Sequence, residues 1–218
     1  MHKLYAHPGW GSTLAEAQLA WYGLPYEVED VDNLFKSSAA RERLAKVNPL
    51  PQLIMTESAA ITLHLADTAP VAKSLVPMTP VAERDTFLRW VVFLVAAVYP
   101  TFTIGDDTSR WLEGEAPRKE LANSMNAYRE RLWGMVESVG GDGPWFLGAR
   151  FSALDIYISV MTRWTPKRAW FAANTPKLSA LALAVDARPE LAAVWRRNFP
   201  SSSPLPLRGR GRRAQRAG

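Results

Sequence analysis

The chain has no cysteine. This excludes a disulfide framework, a thiolate metal site and a cysteine nucleophile. Histidine is scarce, and neither His7 nor His64 has a further ligand at metal-binding spacing, so no metal is expected. Long apolar runs are missing too. The longest, Trp90 to Tyr99 (WVVFLVAAVY), is too short to cross a bilayer and reads as a buried helix segment, so no membrane span is expected. The opening MHKLYAHPGW lacks the apolar stretch of a secretory leader, and a cytoplasmic location is the expectation. Acids are absent from residues 201–218, SSSPLPLRGRGRRAQRAG, which carry five arginines. The net charge of +5 therefore belongs to this tail, and the preceding 200 residues are neutral. The tail has too few apolar residues to bury a core and reads as disordered and basic. An arginine run can meet phosphates. No aromatics interleave here for base stacking, so nucleic acid is not the expected partner.

What is present is an ordinary globular composition, 48% apolar and 22% charged over 218 residues, enough for one large or two small domains. His2 to Ala6 suits a strand. His7-Pro8-Gly9-Trp10-Gly11 reads as a turn. Ser12 or Thr13 then caps a helix, and Thr13 with Glu16 has capping-box spacing. Gly23 and Pro25 end that helix, Tyr26 to Val31 suits a second strand, and Ser38 to Val47 a charged helix. Strand, helix, strand, helix points to a parallel pair in an α/β domain.

Beyond Met55 no strand pattern appears. Thr79-Pro80 reads as a helix start, followed by Leu88, Val91, Val92, Val95 and Tyr99 at helical spacing. Leu121, Met125, Tyr128, Leu132 and Met135 mark a long amphipathic helix that Gly140-Gly141 ends. Three more helices are expected over Ser152 to Trp164, Leu178 to Asp186 and Glu190 to Arg197. The division is an α/β domain at 1–70, a linker at 71–78, a helical domain at 79–200 and the tail at 201–218. In Phe151-Ser152-Ala153-Leu154-Asp155-Ile156 a capping serine precedes an acid by three residues. Asp155 can reach back to the amide of Ser152, and Phe151 can pack on Ile156 as a hydrophobic staple.

Taken in order, these pieces resemble the cytosolic glutathione transferase superfamily. The residues that carry the resemblance are Lys3-Leu4-Tyr5, His7 to Ser12, Gly23-Leu24-Pro25-Tyr26-Glu27, Asn48-Pro49, Glu57-Ser58-Ala59-Ala60-Ile61 with Leu65, and Phe151 to Asp155. They run from residue 2 to about 200. The resemblance implies a thioredoxin-like N-terminal domain, an all-helical C-terminal domain and a homodimer. It also implies attack by the glutathione thiolate on a small hydrophobic electrophile, with glutathione as co-substrate.

The site residues follow from that likeness. Glu57 and Ser58 would hold the γ-glutamyl end at a helix start, where free amides and the positive dipole end favour a carboxylate. Leu50, beside the expected cis-proline Pro51, would pair with the cysteinyl backbone. Ser12 would donate to the sulfur and favour thiolate over thiol, with Thr13 a competing hydroxyl. Trp10, Tyr99 and Phe102 would wall the electrophile pocket. Each has a plainer reading beside it: Ser12 and Ser58 as helix caps, the aromatics as core. Related bacterial enzymes can place a cysteine where Gly11 stands here.

One stretch departs from the family pattern. Only seven residues, Leu50 to Thr56, separate Pro49 from Glu57. Two short strands and a tight turn need roughly ten. Leu50 to Met55 matches the cis-proline and the first strand, so the hairpin turn and the returning strand are expected to be missing. Extended residues at about 3.3 Å each would then carry Glu57 roughly 15 Å from Leu50. The alternative function is therefore a non-catalytic binding or scaffold protein of the same superfamily.

Overall fold

The computed structural model describes residues 1–33, 37–46 and 57–200. Strands β1 (His2–Ala6) and β2 (Tyr26–Asp30) pair in parallel, with His2 opposite Tyr26 and Ala6 opposite Asp30. Helix α1 (Ser12–Tyr22) connects them. Leu4 and Ala6 of β1 bury against Ala15 of α1, and Val28 and Ile61 pack on that small cluster. Lys3 and Glu29 pair across the exposed face at 2.6 Å. Gly23 ends α1 in the left-handed region at φ 69°, which costs a glycine no steric penalty, and its N–H closes on Leu19 and Ala20.

Helix α2 (Ser38–Ala45) is capped by Ser37, whose hydroxyl accepts from the Ala40 amide. Helix α3 (Ser58–Thr68) completes the first part. The rest is helical: α4 (Glu83–Phe93), a π-helical turn Leu94–Val98, α5 (Tyr99–Gly105), α6 (Glu115–Val139), α7 (Ala153–Met161), α8 (Arg168–Asn174), α9 (Pro176–Asp186) and α10 (Ala192–Asn198). Among the described residues the sheet has two strands. The segment that decides whether strands follow, residues 47–56, lies outside the described residues, as does the tail.

Two helices join the parts. Thr13 to Leu19 of α1 are all buried, and α1 packs on α3, α7 and α10. Every residue of α7 is buried. The two parts therefore share one core, running from Leu14 and Leu65 to Trp133, Ile156 and Val194. The expected linker is strapped to this core. Leu75 and Val76 are buried, the Leu75 amide donates to the Tyr22 hydroxyl at 3.0 Å, and its carbonyl accepts from Ala153.

Several local expectations change. The Thr13–Glu16 capping box does not form, because both side chains turn to α10. Thr13 donates to Asn198 Oδ1 at 2.9 Å, and Glu16 takes Arg197 at 2.8 Å and Asn198 at 3.0 Å. The residue ahead of α1 is Gly11, which has no side chain to cap with, so neither Ser12 nor Thr13 is the cap. Helix α4 starts at Glu83, since residues 79–82 turn first. The buried stripe of α4 and α5 is Phe87, Trp90, Val91, Leu94, Val98 and Phe102, while Val92 is 53% exposed. The helical run Glu83–Gly105 has 23 residues, long and apolar enough by composition to cross a membrane, which the ten-residue apolar run understated. Its buried stripe belongs to the shared core. On α6 the buried residues are Arg129, Leu132, Trp133 and Val136, whereas Tyr128 and Met135 face outward.

Candidate active site

The site lies where the starts of α1 and α3 meet the helical part. The loop His7 to Gly11 is held from behind. Asn198 Oδ1 accepts from the Gly9 amide at 3.2 Å, and Trp164 Nε1 donates to the Gly9 carbonyl at 2.7 Å. Asn198 also donates to Glu16 and to the Val194 carbonyl, so every polar atom of its side chain is engaged. Its burial in this network fixes the loop that delivers Ser12.

Ser12 is half-buried in the first turn of α1, and its hydroxyl donates to the His7 carbonyl at 3.4 Å, a long bond. Thr13 is fully buried and committed to Asn198, which removes it as a competing hydroxyl. Glu57 is exposed at the start of α3 and Ser58 is half-buried behind it. No side chain caps the start of α1 or of α3, so Ser58 is not the cap that the plainer reading made it. The first amides of α3 point to a place where a carboxylate is favoured by hydrogen bonding and by the helix dipole.

A polar stitch aligns the two helices. Gln18 donates to Thr62 Oγ1 at 2.9 Å, the Thr62 hydroxyl bonds the Ser58 carbonyl at 2.9 Å, and Tyr157 of α7 shares a hydrogen bond with Thr62 at 3.2 Å. Tyr157 also bonds the Ser58 side chain; burial pushes its hydroxyl up to about 12. It is a neutral donor or acceptor under all ordinary conditions.

The aromatic residues divide. Tyr99 is half-buried at the start of α5, and Trp164 stands edge-on to it at 5.6 Å and to Phe102 at 5.1 Å. Phe102 is only 5% exposed and lies under the Arg129 guanidinium at 4.1 Å, so it is core support rather than an open pocket wall. Trp10 is half-buried, with its ring edge-on to His7 at 4.7 Å. Burial first, then the negative charges of Asp106 and Glu57, raise the Tyr99 hydroxyl above its ordinary value. Tyr99 thus feels α3 electrostatically while lying against α1.

The structure therefore sets the Tyr99 hydroxyl against Gly11, next in sequence to Ser12, and brings Tyr157 to Ser58, with Glu57 within electrostatic reach of Tyr99. Leu50 and Pro51 lie outside the described residues. Sequence reasoning missed Tyr157, Trp164 and Asn198. The first two fall in the run Ser152 to Trp164 that reads from sequence as one core helix, although α7 ends at Met161 and Trp164 follows it in a bend, and nothing local marks an asparagine in α10. Among the described residues no cluster of histidine and acid side chains is placed to hold a metal.

This arrangement, a βαβ start continued into an all-helical part, defines a thioredoxin-like plus helical fold. No family model matches the chain. Individual proteins do. The chain is 39% identical over 207 residues to the GST-like protein YncG of Escherichia coli (strain K12), across 91% of this chain and 98% of that one. A glutathione transferase homolog from Sulfitobacter, solved with bound glutathione, superposes with a TM-score of 0.75 at 25% identity, covering 88% and 95% of the two chains. A sphingomonad glutathione S-transferase complexed with glutathione gives a TM-score of 0.71 at 26% identity, covering 89% and 97%. The chain belongs to the glutathione S-transferase family.

Proposed function

We propose that the protein is a glutathione transferase that joins the glutathione thiolate to a small hydrophobic electrophile. The observation that carries this reading is the packing of two helices without side-chain caps, α1 and α3, with Tyr99 set against Gly11 at the start of α1 and within electrostatic reach of Glu57 at the start of α3. Glutathione has a carboxylate and an amine at its γ-glutamyl end and a thiol at its centre. The start of α3 fits the first, with Ser58 binding the carboxylate by hydroxyl and amide and Glu57 pairing with the amine. The start of α1 fits the thiol, where Ser12 and the helix dipole favour the anion. Leu50 beside Pro51 is the proposed partner of the cysteinyl backbone. Trp10 and Tyr99 form the electrophile side, with Phe102 and Trp164 supporting Tyr99 from behind. The active unit is proposed to be a homodimer, and the division at residues 71–78 separates its glutathione half from its electrophile half.

The second reading, a binding or scaffold protein that performs no conjugation, is favoured by the seven residues between Pro49 and Glu57. Calorimetric titration with reduced glutathione separates the two. Binding in the micromolar to low millimolar range, with saturable conjugation of chlorodinitrobenzene, is the expected result. No heat at several millimolar glutathione from a folded protein would sink the transferase reading.

A further inference from the structure

We propose that Tyr99, delivered by the helical part, donates a hydrogen bond to the glutathione sulfur alongside Ser12, and that Gly11 is small in order to admit its hydroxyl. The inference rests on the transferase reading and deepens it.

The geometry begins at Gly11. A Cβ built on this residue would collide with the Tyr99 hydroxyl and come within 3.3 Å of ring atom Cζ. The backbone of Gly11 is ordinary, φ −57° and ψ −25°, so an alanine would be tolerated conformationally. Space, not backbone freedom, is what a glycine supplies here. The Tyr99 hydroxyl thus occupies the position from which a side chain at 11 would otherwise approach the start of α1.

Three observations fix Tyr99 in that place. The π-helical turn Leu94–Val98 immediately precedes it and resets the phase of the helix. Trp164 and Phe102 brace the ring by edge contacts at 5.6 and 6.4 Å. Trp164 is itself tied to the Gly9 carbonyl, so the loop and the ring move together. Ser12 is a weak sole donor, because its hydroxyl turns back toward the His7 carbonyl.

The charges that face Tyr99 define its role. Glu57 at the start of α3, Asp106 after α5 and the Tyr157 hydroxyl of α7 are the groups coupled to it, and none is cationic. Burial together with the two acids keeps the hydroxyl protonated. Tyr99 is therefore a donor, not a base. In conjugation the thiol proton leaves to water and the sulfur lone pair forms the bond to carbon. The halide departs with its bonding electrons. Tyr99 keeps its proton throughout and stabilises the thiolate before attack.

The test is a double-mutant cycle on the full chain with Y99F, G11A and the pair. Its readouts are the pH profile of chlorodinitrobenzene conjugation and the ultraviolet thiolate absorbance of bound glutathione. Y99F keeps the ring and its packing. It is expected to raise the bound thiol pKa by about one unit and to cut kcat/KM at neutral pH on the order of 10- to 100-fold. Glutathione affinity should change less than about threefold. G11A should shift both quantities in the same direction and add little on top of Y99F, since the clashing oxygen is then gone. If wild type binds and conjugates while Y99F matches it in thiol pKa and kcat/KM, the Tyr99 role is wrong and the transferase reading stands. Additive effects of G11A and Y99F would likewise overturn the steric link. If wild type binds no glutathione, both ideas fall together.

Discussion

Helices α7 and α3 both begin with a serine, and they begin in opposite ways. At α7, Ser152 is the cap and is completely buried. Asp155 accepts from the Ser152 amide at 2.7 Å, from its hydroxyl at 3.1 Å and from the Phe146 amide at 2.8 Å. That start is closed, and its donors are spent on the chain itself. At α3, Glu57 precedes the helix without a side-chain cap, and Ser58 stands one position inside, half-exposed. A closed start gives stability. An open one leaves donors and a positive dipole end for something else. The same residue type thus serves once to hold the fold and once, on the proposed function, to leave a place for a ligand.

The largest expected difference comes from removing the closed start. Asp155→Ala leaves three buried donors without their acceptor and should cost about 3 kcal/mol near pH about 5, measured by urea unfolding followed through tryptophan fluorescence. A loss below about 1 kcal/mol would mean that the cap is not what holds α7. A smaller change comes with pH. Burial raises the Asp155 carboxyl from 3.8 to about 6, against the lowering effect of its hydrogen bonds. A carboxyl with a raised folded value contributes most below 3.8 and loses that contribution as pH climbs through about 6. The stability advantage of wild type over Asp155→Asn should shrink as pH climbs through this window and stay flat above it. An advantage that grows with pH would reverse the assignment. The smallest effects sharpen the comparison most. Ser152→Ala should cost about 1 kcal/mol of stability and leave glutathione binding alone. Ser58→Ala should cost less than about 0.5 kcal/mol and weaken glutathione binding about tenfold, read by the same titration. Equal behaviour of the two serines would erase the distinction.

Much of the architecture was legible because period and punctuation agree. The short apolar-rich run His2 to Ala6, the turn at Pro8 and Gly9 and the stop at Gly23 place β1 and α1 correctly. The box at Ser152 and Asp155 announces α7. Faces were harder to read. The run Trp90 to Tyr99, the end of α4 and the turn after it, is apolar on nearly every side, so spacing alone selects no stripe there, and the π-helical turn then shifts the phase. On α6 a buried arginine, Arg129, takes a core position by bonding the Thr101 hydroxyl at 2.8 Å and the Thr101 carbonyl, while Met135 is left 48% exposed. A hydrophobic pattern cannot foresee either. The N-terminal side of the candidate site, proposed at Ser12, Glu57 and Ser58, could be named from the sequence because its motifs are local. The residues reaching it from the helical part are far away in the chain, and only folding shows which of many tyrosines and tryptophans arrive.

The clasp on the Gly9 loop carries a consequence for how the protein is made. The Gly9 amide finds its acceptor in Asn198, 189 positions downstream. A ribosome delivers the first strand and helix early, and such a unit can begin to fold as it emerges. Its Gly9 loop nevertheless stays without its backstop until α10 has been synthesised. The order of synthesis therefore imposes an order on competence. Chains that stop short of α10 would carry every proposed ligand-binding residue and still lack the support for the Gly9 loop, so α10 acts as a completion mark for that loop.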